Sequence, residues 1–89
     1  NVWEDVKNLM VKDTIIDKKT KEMIYMAVSI TNNCSYCRHS HTATAKKLGM
    51  TQEEHSEFLS IVALAAKTNQ LVNGLQVPID EIFDADRQD

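Results

Sequence analysis

The chain of 89 residues is long enough for one small domain and too short for two. Its 43% hydrophobic and 26% charged residues belong to an ordinary globular chain, which excludes a disordered polyelectrolyte, and no run of about 18 apolar residues exists to cross a bilayer. With 13 Asp and Glu against 10 Lys and Arg, the net charge of −3 excludes the overall basic footprint of a nucleic-acid binder.

Only 2 Gly and 1 Pro argue against a turn-rich sandwich or barrel, so the expected fold is all-α, a small domain of four to five helices. Asn1 to about Lys12 carries Val2, Val6, Leu9 and Met10, spaced to give one apolar helix face. Asp13 and Asp17 both offer N-caps for a second helix from Lys18 to about Asn32. There Met23, Ile24, Met26, Ala27, Val28 and Ile30 spread over more than half the helical wheel, so this helix is expected to be largely buried, in part in a subunit contact. Ser29, Thr31, Asn32 and Asn33 compete for backbone bonds and predict a break near Asn32-Asn33.

A third helix is predicted from about Cys34 to Leu48, with Gly49 as its left-handed stop. Thr51-Gln52-Glu53-Glu54 is a T-x-x-E capping box opening a fourth helix, whose Phe58, Ile61, Val62 and Ala65 form an i, i+3, i+4, i+7 stripe. That helix is expected to reach about Val72 and stop before Gly74. Pro78, Ile79, Ile82 and Phe83 suggest a packed tail or a short last helix, and 84–89 a frayed end. A domain this small buries only about 60–65% of its unfolded surface, so a disulfide, a metal or self-association is expected to support it.

Both cysteines are spent on one C-x-x-C, Cys34 and Cys37, at the predicted N-terminus of the third helix. The free N–H groups and positive dipole end there favour a thiolate, and the spacing allows a small disulfide ring to close. At ~100° per residue Cys34, Cys37 and His41 share one sector of the wheel, whereas His39 and Tyr36 point away. His41, not His39, is therefore the residue placed to act as acid, base or electrostatic partner of a thiol. Three readings stay open on the residues alone: a dithiol redox site, two buried structural thiols, or a metal site using Cys34, Cys37 and His41.

Other residues read more plainly. His55 is expected on a solvated face, Trp3 and Tyr25 as core or interface aromatics, and Met23 and Met26 as gap-fillers. Lys18-Lys19-Lys21 and Lys46-Lys47 read as solvated helix faces. Glu22, one turn from Lys18 and Lys19, reads as a surface ion pair.

Glu22, followed after eleven residues by Cys34-Ser-Tyr-Cys37-Arg-His-Ser-His41, resembles the E-x11-C-x-x-C-x3-H signature of the alkylhydroperoxidase D branch of the carboxymuconolactone decarboxylase family. The resemblance runs from about Thr20 to Ala66. It implies an all-helical fold in which the Glu-bearing helix packs on the N-terminus of the Cys-bearing helix, in a homo-oligomer, commonly a trimer or hexamer. It also implies a hydroperoxide-reducing enzyme without cofactor or metal. Carried over by the motif, Cys37 is the peroxidatic thiol, Cys34 the proton donor and resolving thiol, and His41 with Glu22 the proton relay. The implied partners are a hydroperoxide substrate and an external dithiol or protein thiol reductant, with neither nucleic acid nor membrane. Tyr36 stands between the cysteines where some relatives carry a second His. Decarboxylases of the family lack the cysteine pair, so lactone decarboxylation is not expected. A disulfide reductase or redox sensor without peroxide chemistry is the alternative activity, and a structural or metal-binding module the alternative class. The lack of a visible export signal and the need for reductant suggest the cytoplasm.

Overall fold

The computed structural model describes residues 1–83, and every regular element among them is helical. Residues 84–89, expected to fray, lie outside the described residues. The chain divides into two compact units, residues 1–59 and the residues from Ser60 onward. Among the described residues no helix is long and apolar enough to cross a membrane.

The first helical segment covers the span its periodicity predicts but changes type within it. α1 spans Val2–Val6 and continues as a single π-type turn, Lys7–Val11, in which the Lys12 N–H reaches the Lys7 carbonyl at 3.3 Å. Asn1 caps α1 by accepting from the Glu4 N–H at 3.0 Å, half of an N-x-x-E capping box that the apolar pattern does not reveal. The carbonyls at the end of this segment have no helical partners, and the Lys21 ammonium supplies them, bonding Leu9 O at 2.6 Å and Lys12 O at 3.4 Å. Lys21 is thus buried rather than part of a solvated basic face.

α2 spans Lys18–Thr31. Of the two candidate caps, Asp17 is the one used: its carboxylate accepts from the Thr20 N–H and hydroxyl, which hold the carboxyl below its ordinary range. Asp13 instead pairs with Lys18. The expected break at Asn32-Asn33 is present and has a specific geometry. Asn33 takes a left-handed φ of 58°, the Cys34 N–H returns to Ser29 O at 2.9 Å and the Asn33 N–H to Ile30 O at 3.2 Å, a Schellman closure with Asn in the place usually held by Gly. Cys34 both ends this closure and caps the next helix.

α3 spans Ser35–Lys47 and packs against α2. It ends as its sequence predicts: Gly49 has φ 102°, the Met50 N–H bonds Ala45 O at 2.9 Å and the Gly49 N–H bonds Lys46 O at 3.1 Å, with Ala45 and Met50 both buried. The Thr51–Glu54 capping box is formed in both directions, at 2.9 and 3.0 Å, and opens α4, Gln52–Gly74. Glu54 also takes the Lys19 ammonium at 2.8 Å, tying the start of α4 to α2.

Within this chain the apolar residues of α2 and α4 are only partly covered. α2 buries Lys21, Glu22, Met26 and Ser29, while Ile24 and Val28 remain 51% and 54% exposed. The buried stripe is Glu22-Met26-Ser29, an i, i+4, i+7 set whose polar members are internally bonded, so within the chain a partly polar face of α2 is the one turned inward. On α4 only Phe58 of the expected stripe is buried, and Ile61 is exposed. In the second unit α4 includes Gly74 instead of stopping before it. The left-handed residue is Gln76, with φ 53°, and a short 3₁₀ turn, Glu81–Phe83, follows with Ile82 and Phe83 exposed.

Candidate active site

Cys34 and Cys37 are joined by a disulfide, their Cα atoms 5.3 Å apart. Cys34 is the N-cap of α3: its sulfur accepts from the Cys37 N–H at 3.3 Å while its own backbone is extended. The sulfur pair therefore sits on the unsatisfied N–H groups at the positive end of α3, where negative charge on sulfur is favoured whenever the pair is reduced. Both cysteines are half-buried, and Tyr36 between them projects outward, 84% exposed.

One turn after Cys37, on the same face of α3, stands His41. Its Nδ1–H donates to Glu22 Oε2 at 2.5 Å, across the α2–α3 packing. A carboxylate only accepts, so the proton of this bond resides on Nδ1, and Nε2 is the ring nitrogen left to exchange protons. Glu22 is 7% exposed, the most buried carboxyl of the described residues. A charge at such depth is stable only with a partner, and His41 is that partner. The reading of Glu22 as a surface ion pair is thereby replaced: Lys19 reaches Glu54 and Lys18 reaches Asp13, leaving Glu22 to His41.

Tyr25 completes the surroundings of the imidazole. Its ring lies on that of His41, centroids 3.9 Å apart and planes 20° from parallel. Sequence reasoning assigned Tyr25 to core or interface packing. Its place three residues after Glu22 on α2 was the available signal, since residues so spaced are neighbours on a helix surface. The same ring walls an open, almost wholly apolar cleft of about 640 Å³, to which Leu9, Ile15, Ile16, Ile24 and Val28 also contribute.

The remaining histidines lie elsewhere. His39 donates Nδ1–H to Ser35 O at 2.8 Å and is exposed, as its position on the wheel predicts. His55 is half-buried against Phe58, with ring centroids 6.3 Å apart, rather than fully solvated. Both line a separate groove with Arg38 and Lys46 on the other side of α3. Among the described residues no three His, Cys, Asp or Glu side chains converge as a metal-binding group.

Comparison with known proteins gives the fold and sequence relatives of the chain. The chain is similar to the crystal structure of the alkylhydroperoxidase AhpD core from Rhodospirillum rubrum, with a TM-score of 0.89 and 55% identity over 92% of this chain and 60% of that one. It is 38% identical over 55 residues to the alkyl hydroperoxide reductase AhpD of Mycobacteroides abscessus, covering 62% of this chain and 31% of the relative. With the protein of the same name from Nocardia farcinica it shares 31% identity over 61 residues, 68% of this chain and 34% of that one. The chain thus spans about a third of the length of these two curated relatives. The model of the carboxymuconolactone decarboxylase family matches residues 1–80, beyond the Thr20–Ala66 window on both sides. The chain belongs to the carboxymuconolactone decarboxylase family, in its alkylhydroperoxidase D-like branch.

Proposed function

We propose that the chain is a thiol-dependent peroxidase that reduces organic hydroperoxides through the Cys34–Cys37 pair. The observation that supports this most is the buried Glu22 carboxylate held on His41 Nδ1, one helical turn from Cys37. A structural disulfide has no use for a buried, charge-bearing relay on the adjacent helix face.

In this reading the reduced Cys37 thiolate attacks the terminal oxygen of ROOH. The O–O bond breaks, Cys37 becomes a sulfenic acid, and the departing alkoxide takes a proton and leaves as ROH. The Cys34 thiol supplies that proton, and its thiolate then displaces the sulfenic hydroxide as the S–S bond forms; the hydroxide takes the proton that His41 first accepted from the Cys37 thiol and leaves as water. His41, through Nε2, passes protons to and from the sulfurs, and Glu22 holds the ring and stabilises its charged form. An external dithiol returns two electrons and two protons to the disulfide.

The test is the intact mass of the reduced protein after one equivalent of an organic hydroperoxide, with a thiol trap to count cysteines. Loss of two hydrogens and of both trap sites is expected, and Cys37→Ser abolishes peroxide consumption. Unchanged consumption by Cys37→Ser refutes the assignment. The exposed Tyr36 beside the disulfide favours a second reading, thiol–disulfide exchange with a protein dithiol and no peroxide step. Exchange without any reaction with hydroperoxide selects it.

A cycling dithiol needs a reductant supply, which suits the cytoplasm. Exposed Ile24, Val28, Ile61 and Leu64 support assembly as a homo-oligomer, a trimer or hexamer. A stable monomer at micromolar concentration in sedimentation overturns that assembly.

A further inference from the structure

The torsion that sets the plane of a histidine ring is broad, so covalent geometry alone selects no orientation for the His41 imidazole. Turning about the Cβ–Cγ bond carries Nδ1 and Nε2 together, so a ring held by the Glu22 hydrogen bond alone leaves that bond and moves Nε2 whenever it turns. Tyr25 opposes this turning: its ring covers the His41 ring at a centroid distance of 3.9 Å and within 20° of parallel. Tyr25 and Glu22 project from neighbouring positions of α2, so the atom and the plane of the imidazole are held from one helix. That stretch of α2 is anchored in turn: the buried Ser29 donates its hydroxyl to Tyr25 O at 2.7 Å and accepts the Cys34 N–H at its own carbonyl. The main chain of Tyr25 is thus tied through Ser29 to the main chain of Cys34.

We propose that Tyr25 is a positioning residue of the relay: its ring face fixes the plane of His41 and thereby the point from which Nε2 exchanges protons. The proposal rests on the peroxidase reading for its kinetic consequence, and on the geometry of His41 for its structural one. It attributes the effect to the ring face, not the phenol hydroxyl. Tyr25→Phe keeps the face, whereas Tyr25→Leu removes it and still leaves an apolar wall for the neighbouring cleft.

The experiment compares the full chain with these two variants. One readout is the rate of disulfide formation by the reduced protein with tert-butyl hydroperoxide, split into kcat and KM. The other is the nitrogen-15 signature of the His41 imidazole. Tyr25→Leu is expected to lower kcat by tenfold to a hundredfold at unchanged KM, on the order that a small misplacement of a reacting group costs. Its His41 signal should change from a fixed Nδ1–H tautomer to an averaged one. Tyr25→Phe restores both. A Tyr25→Leu variant with wild-type rate and signature overturns the proposal, as does a Tyr25→Phe variant that loses them. Should the unmodified protein ignore the hydroperoxide, the peroxidase reading fails, and the imidazole signatures of the two variants still decide the positioning role. Should Tyr25→Leu fail to fold, Tyr25→Met, flexible and without a ring, takes its place under the same readouts and the same refuting result.

Discussion

Glu22→Gln isolates the charge of the relay from its shape, because the two side chains are nearly isosteric. The wild-type Glu22 is buried, 7% exposed as a residue, and its carboxylate accepts the His41 Nδ1–H at 2.5 Å. A buried hydrogen bond to a charged group contributes about 1.5–3 kcal/mol. If the imidazole gains positive charge as it takes a proton from the thiol, that contribution falls mainly on the transition state. At about 1.4 kcal/mol per factor of ten, the loss corresponds to a rate reduction of roughly 10- to 150-fold. The amide brings a second penalty: its NH₂ can turn toward Nδ1, which must then accept, moving the ring proton to Nε2 and reversing the tautomer. The assay is quenched-flow trapping of free thiols after mixing reduced protein with hydroperoxide. Stability is measured in parallel, where each kcal/mol shifts Tm by about 4–8 °C in a domain of this size. A Glu22→Gln protein that forms the disulfide within about twofold of the wild-type rate refutes the relay, since so small a change leaves under about 0.5 kcal/mol for the charge.

Three further outcomes follow from the fold. Asn33 holds a left-handed φ of 58° that a Cβ-bearing residue without a local polar partner adopts at a cost of roughly 1–2 kcal/mol, so Asn33→Ala should destabilise by about that amount and Asn33→Gly should not, as read by chemical denaturation. Lys21→Met removes the ammonium from Leu9 O and Lys12 O, and is expected to raise hydrogen exchange in residues 2–12 while α2 and α3 stay protected; unchanged exchange there denies Lys21 its anchoring role. Glu54 is lowered by the Lys19 ammonium and then by the Thr51 N–H, and Lys19 is raised by Glu54. A depressed carboxyl stabilises above its unfolded pKa and loses this as pH falls through the folded value, while a raised amine stabilises below its unfolded pKa and loses this as pH rises through the folded value. The pair therefore supports the fold between about pH 4.5 and 10.5. Glu54→Gln should flatten the acid limb of a denaturation midpoint measured against pH, and 1 M salt should do the same in the wild type.

How legible each part was depends on where its cause lies. Features set by a few neighbouring residues are written locally: the Asp17 cap, the Thr51–Glu54 box, the Gly49 stop and the break at Asn32-Asn33 all stand where the residue types put them. The cysteine–histidine sector was readable for the same reason, since Cys37 and His41 share one helix. Glu22 was not, because its partner lies on another helix; its own neighbourhood offered Lys18 and Lys19, and only the family spacing pointed across to His41. Tyr25 and Lys21 were missed on the same principle, each acquiring its role from a group nine or more positions away. The division of α2 into a covered and an uncovered face makes the point more sharply. Periodicity reports which side chains share a face, and both Glu22-Met26-Ser29 and Ile24-Val28 are such faces. Which of them goes inside depends on what the rest of the fold brings against it, and a polar face with internal partners can occupy the interior while an apolar one stays exposed within the chain. The apolar count of a helix therefore does not by itself choose the face that the fold turns inward.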